Sequence, residues 1–477
     1  MKKPNIIFFM LDTVRADFLG AYGGSAETSV MDGLAVHGKI YLNAVAPATY
    51  TAPSHLAVFT GMGWEGLNDI FKNPITNRNS NTDPFLSKTH YISARSKNTV
   101  AEELVSLGYS TWLLSNNPFV SRPTGLADGF SFVENFWFRE RIDYGKYYIK
   151  YVLKLIDSDF ARENLISLAY LLTYAIPDRM VDSTYVKLRK NIERRFLSES
   201  GSVKMDRGAE KTNEMLGRIS RSDHFAPLFV FVNYMEGHEG YPVDSAPGGI
   251  VQDKWFYLGG LSDKSHTAPL KDAYRRRIEY LDGMLGKALG EMADGGILDN
   301  AIVIVAGDHG QGFMEHDQMY HNMFPYQEIS HVPLIITRFS NGKPVGDRES
   351  IYKPVSLRGL CNFIKNAGAG SDYSLEDFSS ATKDVRSDHF GITEVWDMSI
   401  LEHFRKKSRT ADAIYRAKMR YNTFSSALYS GRFKLLHYAD RRIGDQLFDL
   451  KSDSGEEENI IMKNRVVARS MLRHLGY

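Results

Sequence analysis

The stretch Asn5–Asp12, NIIFFMLD, decides how the fold is read. Its seven residues Asn5–Leu11 are too few for a helix that must pack, and they stop on a carboxylate. Lys2 and Lys3 precede the run, a superficial likeness to a secretory leader. No small-residue cleavage site follows Asp12, so a buried β-strand is the better reading. Four more runs share this texture: YSTWLLS (109–115), PLFVFVN (227–233), AIVIVAG (301–307) and VPLIIT (332–337). Between them lie helical patterns, SKNTVAEELVSLG (96–108) and AYRRRIEYLDGMLGKALGEMADGG (273–296), the second with a Gly-Gly stop. Buried strands alternating with helices predict an α/β fold, a large, mostly parallel sheet flanked by helices. Chemistry in such folds collects at the carboxyl ends of strands, where Asp12, Asn233 and Asp308 fall.

Residues 136–205 break the rhythm with a Tyr-rich helical pattern, read as a helical insert. From about residue 345 the texture changes again, and 427–450 reads as strands joined by turns. The expected organisation is a catalytic α/β domain over 1–345 and a smaller C-terminal antiparallel-sheet subdomain over 346–477. Lys146, Lys150 and Lys154 recur every four residues and share a helix face beside Tyr147, Tyr148 and Tyr151. A solvated basic edge is the plain reading; a peripheral membrane contact through residues 144–176 is the sharper one.

The chain has 477 residues and a formal net charge of +1, which gives no electrostatic case for a nucleic-acid partner. Cys361 is alone, so neither an internal disulfide nor a Cys-based metal cluster is available. The longest later apolar stretch, residues 165–176, is 12 residues long and falls short of the ~20 that a bilayer span needs. A cytoplasmic location is the resulting expectation.

Four segments carry reactive side chains: Asp12 in MLDTVRAD, Thr51 in TYTAPSHLAVFTG, Glu236 and His238 in NYMEGHEGYP, and Asp308, His309, His316 and His321 in GDHGQGFMEHDQMYHN. Hard cations take carboxylate oxygens, and zinc or manganese also accept imidazole. Asp12 and the adjacent pair Asp308–His309 could supply such a shell from two strand ends. A hydroxyl beside that cation loses its proton more readily, and Thr51 could be that nucleophile. Singly, each residue has an ordinary reading as a cap, turn or packing group. Their order along the chain is what points to a site.

These segments together resemble the sulfatase-like branch of the alkaline phosphatase superfamily. PNIIFFMLDTVRADFLGAYG is similar to its opening strand and metal-binding Asp, and APATYTAPSHLAVFTG to its nucleophile segment. FVFVNYMEGHEGYP is similar to its segment with a catalytic His, and GGILDNAIVIVAGDHGQGFMEH to its Asp-His metal loop. GRFKLLHYADRRIGDQLFDLKSDSGEEENI resembles its C-terminal hairpin and ending.

The resemblance implies a divalent cation (Zn, Mn, Ca or Mg) held by Asp12, Thr51, Asp308 and His309, with room for a second. It implies Thr51, His238 and His321 as catalytic residues and His55, Glu236 and His316 as substrate-binding ones. True sulfatases carry Cys or Ser at the Thr51 position, oxidised to formylglycine, and threonine cannot form that aldehyde. His55 replaces the Arg typical of sulfatases, and His331 stands where Arg often precedes Val-Pro-Leu. His321, twelve residues after His309, matches the phosphoethanolamine transferases. The expected activity is therefore metal-dependent hydrolysis of a small-molecule or lipid-like phosphodiester or phosphonate monoester through a phospho-Thr51 intermediate. The alternatives are a soluble phosphoryl-group transferase, a sulfatase-type hydrolase working without formylglycine, and a non-catalytic binding protein. The superfamily's membrane transferases carry transmembrane helices before this domain, and none is evident here, which favours hydrolysis.

Overall fold

The computed structural model describes residues 3–72, 98–122, 124–136, 205–241, 254–260, 267–371, 385–390 and 409–476, with single positions at 265, 402 and 405. The expected insert, with Lys146, Lys150, Lys154 and the 144–176 contact, lies outside the described residues.

Among the described residues the main sheet has nine strands: β1 (Asn5–Leu11), β2 (Gly38–Tyr41), β3 (Ser110–Ser115), β4 (Phe132–Asn135), β5 (Leu228–Tyr234), β6 (Asn300–Gly307), β7 (Leu334–Ser340), β8 (Lys343–Val345) and β9 (Glu349–Ile351). Their spatial order is β9-β2-β7-β6-β1-β5-β3-β4, with β8 on β7. β6, β1, β5, β3 and β4 run parallel. β7 runs antiparallel to both β6 and β2, so VPLIIT forms a reversed strand in an otherwise parallel centre. β1 lies between β5 and β6 and is buried on both faces, which is why its sequence shows no polar alternation. Ile6, Phe8 and Met10 enter one core layer, and Ile7, Phe9 and Leu11 the other.

That alternation fixes the site. Asp12 continues the Met10 face, Asp308 the Ala306 face and Asn233 the Phe231 face, all three on one side of the sheet. The helix Thr51–Thr60 covers the same side through Ala52, Leu56 and Phe59, and all ten of its residues are buried. Pro53 is tolerated in its first turn, where backbone N–H groups have no intrahelical acceptor. Gly61 closes it at φ 64, donating to Ala57 O. The helix read over 96–108 is shorter, Val100–Ser106, because Thr99 and Glu102 form a capping box that sets its start. The long helix spans Thr267–Asp294 and ends on Gly295–Gly296 as its pattern predicts.

A separate antiparallel sheet joins Val385–His389, Ser425–Ser430, Phe433–Tyr438 and Gln446–Asp449 in chain order. The sequence boundary at 345 falls short of where the main layers end. β9 pairs in parallel with β2, and Leu360, Cys361 and Ile364 pack into the first core layer. Backbone pairing carries the large unit past the change in texture that suggested the boundary.

Candidate active site

Asp12, Asp308 and His309 converge at the carboxyl ends of β1 and β6, and one ligand atom from each lies within 4.8 Å of the others. Thr51 Oγ1 is 3.3 Å from His309 Nε2 and 3.5 Å from Asp12 Oδ2. The carboxylates are oriented by their neighbours. Asp308 Oδ1 accepts from the backbone N–H groups of Thr13 (3.0 Å) and His309 (2.8 Å). Asp12 Oδ2 accepts from Asn117 Nδ2 at 2.6 Å. His309 Nδ1 faces the carbonyl of Gly310 at 3.0 Å, which can only accept, so Nδ1 carries the proton. Nε2 then presents a lone pair toward Thr51.

This arrangement fits a divalent cation. Asp12 Oδ1 and Asp308 Oδ2 are buried without a hydrogen-bond partner. Burial pushes Asp308 up to about 7, and burial together with Asp308 holds Asp12 well above the carboxylate range. Two unneutralised carboxylates packed together call for a positive charge between them. Burial also lowers His309 to about 4, so its imidazole is neutral and able to ligate.

Backbone geometry reinforces the site. Thr13 sits at φ 57, costly for a β-branched residue, and is held there by its N–H bond to Asp308 and by Tyr274 Oη donating to its carbonyl at 2.6 Å. Gly237 lets the next loop approach: a Cβ there would meet Asp12 O at 2.5 Å.

That loop brings a second group beside the first. His238 Nδ1 and His321 Nδ1 each lie 3.2 Å from Glu239 Oε2. The His321 ring is 4.7 Å from that of His309 and 4.9 Å from that of His238, centroid to centroid. Burial lowers both His238 and His321, with Glu239 opposing it. Burial opposes the Glu239 charge, but His238 and His321 hold its carboxyl well below the usual range.

The three residues expected to contact substrate, His55, Glu236 and His316, each have protein partners. His55 lies behind Thr51, its Nδ1 3.0 Å from Thr51 O and 3.6 Å from Asp308 Oδ2, its ring against Phe59 and Phe231. It is fully buried, and burial lowers it to about 3. Glu236 turns its Oε1 to the N–H groups of Arg207 and Ala209, at the start of the helix Ala209–Ser220. Helix period is absent from this loop, so sequence could not show that Glu239, three residues on, meets the histidines instead. His331 Nε2 is 2.9 Å from Leu42 O.

His316 stacks on Tyr326 at 4.0 Å and sets Nδ1 3.0 Å from Glu328 Oε1, with Nε2 3.3 Å from Glu456 O. Glu456 pairs in turn with Lys434 at 2.8 Å, both wholly buried. Burial works against the His316 charge, yet Glu328 lifts it to about 9. Its stabilisation is complete below the unfolded value of ~6.5 and is lost as pH rises through 9. Wild-type Tm should therefore fall between pH 6.5 and 9, and Glu328→Gln should flatten that fall. An unchanged slope in the variant would remove His316 from this role.

Asn117 and Glu239 were not singled out from sequence. Asn117 had a usable signal, since it follows β3 at the same end of the sheet as Asp12. Among the described residues, no helix is long and apolar enough to cross a membrane.

Comparison with known proteins bears on the family and the fold. The chain is 31% identical over 213 residues to arylsulfatase K of Xenopus laevis, covering 41% of this chain and 36% of that protein. It thus spans about a third of the length of the arylsulfatase K relatives it matches. It is 22% identical to the N-acetylglucosamine-6-O-sulfatase of Bacteroides thetaiotaomicron, over 97% of this chain and 83% of that one. The fold is shared with a solved putative sulfatase from Bacteroides thetaiotaomicron (TM-score 0.60, 15% identity, 99% and 92% coverage). It is shared equally with the phosphonate monoester hydrolase of Agrobacterium radiobacter (TM-score 0.58, 15% identity, 99% and 95% coverage). A family model described as Sulfatase matches residues 4–361, which carry both strand ends and Thr51, and the chain belongs to the sulfatase family.

Proposed function

We propose that the protein is a metal-dependent hydrolase of phosphorus esters, a phosphodiester or phosphonate monoester, with Thr51 as nucleophile. The observation that carries this reading is the Thr51 hydroxyl, within 3.5 Å of both Asp12 and His309 at the start of a buried helix. Threonine carries a secondary alcohol, whose oxidation would give a ketone and not an aldehyde, so its hydroxyl must attack directly. A divalent cation held by Asp12, Asp308 and His309 would offset phosphoryl charge and ease the loss of the Thr51 proton.

The chain's own groups supply the rest. Asp12 Oδ2, held by Asn117, lies in reach of the Thr51 proton. Thr51 Oγ1 forms the new bond to phosphorus, and the ester oxygen departs toward the imidazoles of His238 and His321. Water then attacks phosphorus, the bond from phosphorus to Thr51 breaks, Thr51 recovers its proton from Asp12, and the proton that water sheds balances the charge on the departed ester oxygen. His55 is neutral and sealed from solvent, so the place where sulfatases carry Arg supplies no cation here. A singly charged diester or phosphonate ester suits such a site better than a monoester dianion.

Sulfatase-type hydrolysis is the second reading, favoured by the names of the relatives, arylsulfatases and an N-acetylglucosamine-6-O-sulfatase. It requires sulfuryl transfer to the Thr51 hydroxyl itself. The test compares kcat/KM for an aryl phosphodiester, an aryl phosphonate ester and the matching aryl sulfate on metal-loaded protein. The phosphorus esters should be turned over at least about 100-fold better, the size of one well-placed catalytic contribution. A higher kcat/KM for the sulfate would reverse the assignment.

A further inference from the structure

We propose that Tyr421, in the C-terminal part of the chain, is a positioning residue for Thr51, strapping the segment just before the nucleophile to the strained run Met314–Asn322. This rests on Thr51 as the nucleophile and holds for either ester class. The run is where backbone strain concentrates. Among the described residues eight non-glycine positions have positive φ, and five of them fall in these nine residues: Met314 (71°), His316 (48°), Asp317 (55°), Tyr320 (63°) and Asn322 (61°). His, Asp and Asn accept this conformation most readily; Met314 and Tyr320 have no such relief. Left-handed residues of this kind persist only where surrounding contacts hold them. Part of the hold is local, the short antiparallel pairing of Gly312–Phe313 with Met319–Tyr320. The rest comes from the C-terminal part: Tyr421 Oη donates to Asp317 O, and His316 Nε2 lies 3.3 Å from Glu456 O.

Tyr421 also closes a ring of contacts on the nucleophile segment. Thr49 Oγ1, two residues before Thr51, is 3.2 Å from His389 Nδ1, and His389 Nε2 is 2.8 Å from Tyr421 O. A carbonyl only accepts, so Nε2 carries the proton, and burial lowers His389 to about 4, which keeps the ring neutral. Nδ1 therefore accepts and Thr49 Oγ1 donates. At its other end Tyr421 holds Asp317, and five residues on Asn322 N donates to Thr49 O at 2.9 Å, which completes the ring.

The backbone is fixed in the same place. Asp388 N donates to Pro47 O at 3.0 Å, and Thr49 N donates to Asp388 O at 3.1 Å, so the strand Val385–His389 is seated on the nucleophile segment. Thr49, His389 and Tyr421 are all buried, and the Phe324 ring lies 5.1 Å from that of Tyr421 and 6.1 Å from that of His389, centroid to centroid. Thr51 begins its helix directly beyond this ring. A shift of Thr49 is therefore passed to Thr51 Oγ1, whose contacts with Asp12 and His309 are already long, at 3.5 and 3.3 Å.

The test cuts the ring at either end. Tyr421→Phe keeps the aromatic ring beside Phe324 and removes only the hydroxyl; Thr49→Val keeps the shape of Thr49 and removes its donor; Thr49→Ser keeps the donor. On whichever aryl ester wild type turns over best, Tyr421→Phe and Thr49→Val should each lower kcat by about 10- to 100-fold with KM changed less than about threefold, the scale of a misplacement of ~1 Å at the reacting atoms. Thr49→Ser should keep most of the rate. The double variant Tyr421→Phe/Thr49→Val should fall no further than the worse single, because opening the ring once releases it. Amide hydrogen exchange should quicken at residues 314–322 in Tyr421→Phe. Multiplying losses in the double variant, or a lower Tm with kcat unchanged, would make Tyr421 a packing residue and overturn the proposal. Unchanged exchange at 314–322 would overturn it without any turnover being measured, whereas the nucleophile reading fails separately, on the activity of Thr51→Ala.

Discussion

Thr51→Ala should lower kcat by roughly 10⁴-fold or more while leaving the fold and metal content intact, because it removes the covalent route. The side chain is buried at the start of a ten-residue helix, and its methyl group is close to the volume that alanine retains. The hydroxyl lies against His309, Asp12 and Asp308, so its loss leaves a small gap at the reacting centre. Thr51→Ser keeps the hydroxyl and should retain part of the rate. Acid-quenched wild type should yield a phosphorylated peptide containing Thr51, and the alanine variant none. Near-wild-type turnover by Thr51→Ala would refute the nucleophile.

Asp308→Asn should empty the cation site and cut turnover by roughly 10³-fold, the order expected when a central electrostatic element is removed. The isosteric amide can still accept at Oδ1 from the N–H groups of Thr13 and His309, so the loop should hold. The sign on stability separates charge from structure. Burial raises Asp308 to about 7 in the metal-free fold, so its ionised form weighs against folding increasingly from about pH 4 through 7. Metal-free Asp308→Asn should therefore melt higher than metal-free wild type at pH 8. With zinc or manganese added, the order should reverse, because only wild type gains binding energy. Full metal occupancy in the variant, measured by elemental analysis, would break the ligand assignment.

Much of this site was legible because it sits where strands end. Asp12, Asp308 and His309 directly follow apolar runs, and the period-two alternation of β1 and β6 sends both aspartates to one face. Thr51 was legible from the helix that follows it, ended by Gly61. Side chains in the intervening loops have no such period. Glu239 and His321 meet across a separation of 82 residues, and His316 finds Glu456 at a separation of 140.

The central parallel strands, the antiparallel C-terminal sheet, the family and the order of its motifs can all be read along the chain. Each of these is carried by local periodicity or by residues close together in the chain. Tertiary structure alone decided which polar groups meet. It sealed His55 behind Thr51 against Phe59 and Phe231, and it turned Glu236 to a helix start while Glu239 took the histidines. It sent His316 to Glu328 and set Asn117 on Asp12. A loop side chain has no lattice of neighbours to fix its direction. Its partner is chosen by burial cost, which forces each polar atom onto whatever donor or acceptor the distant strands bring within reach.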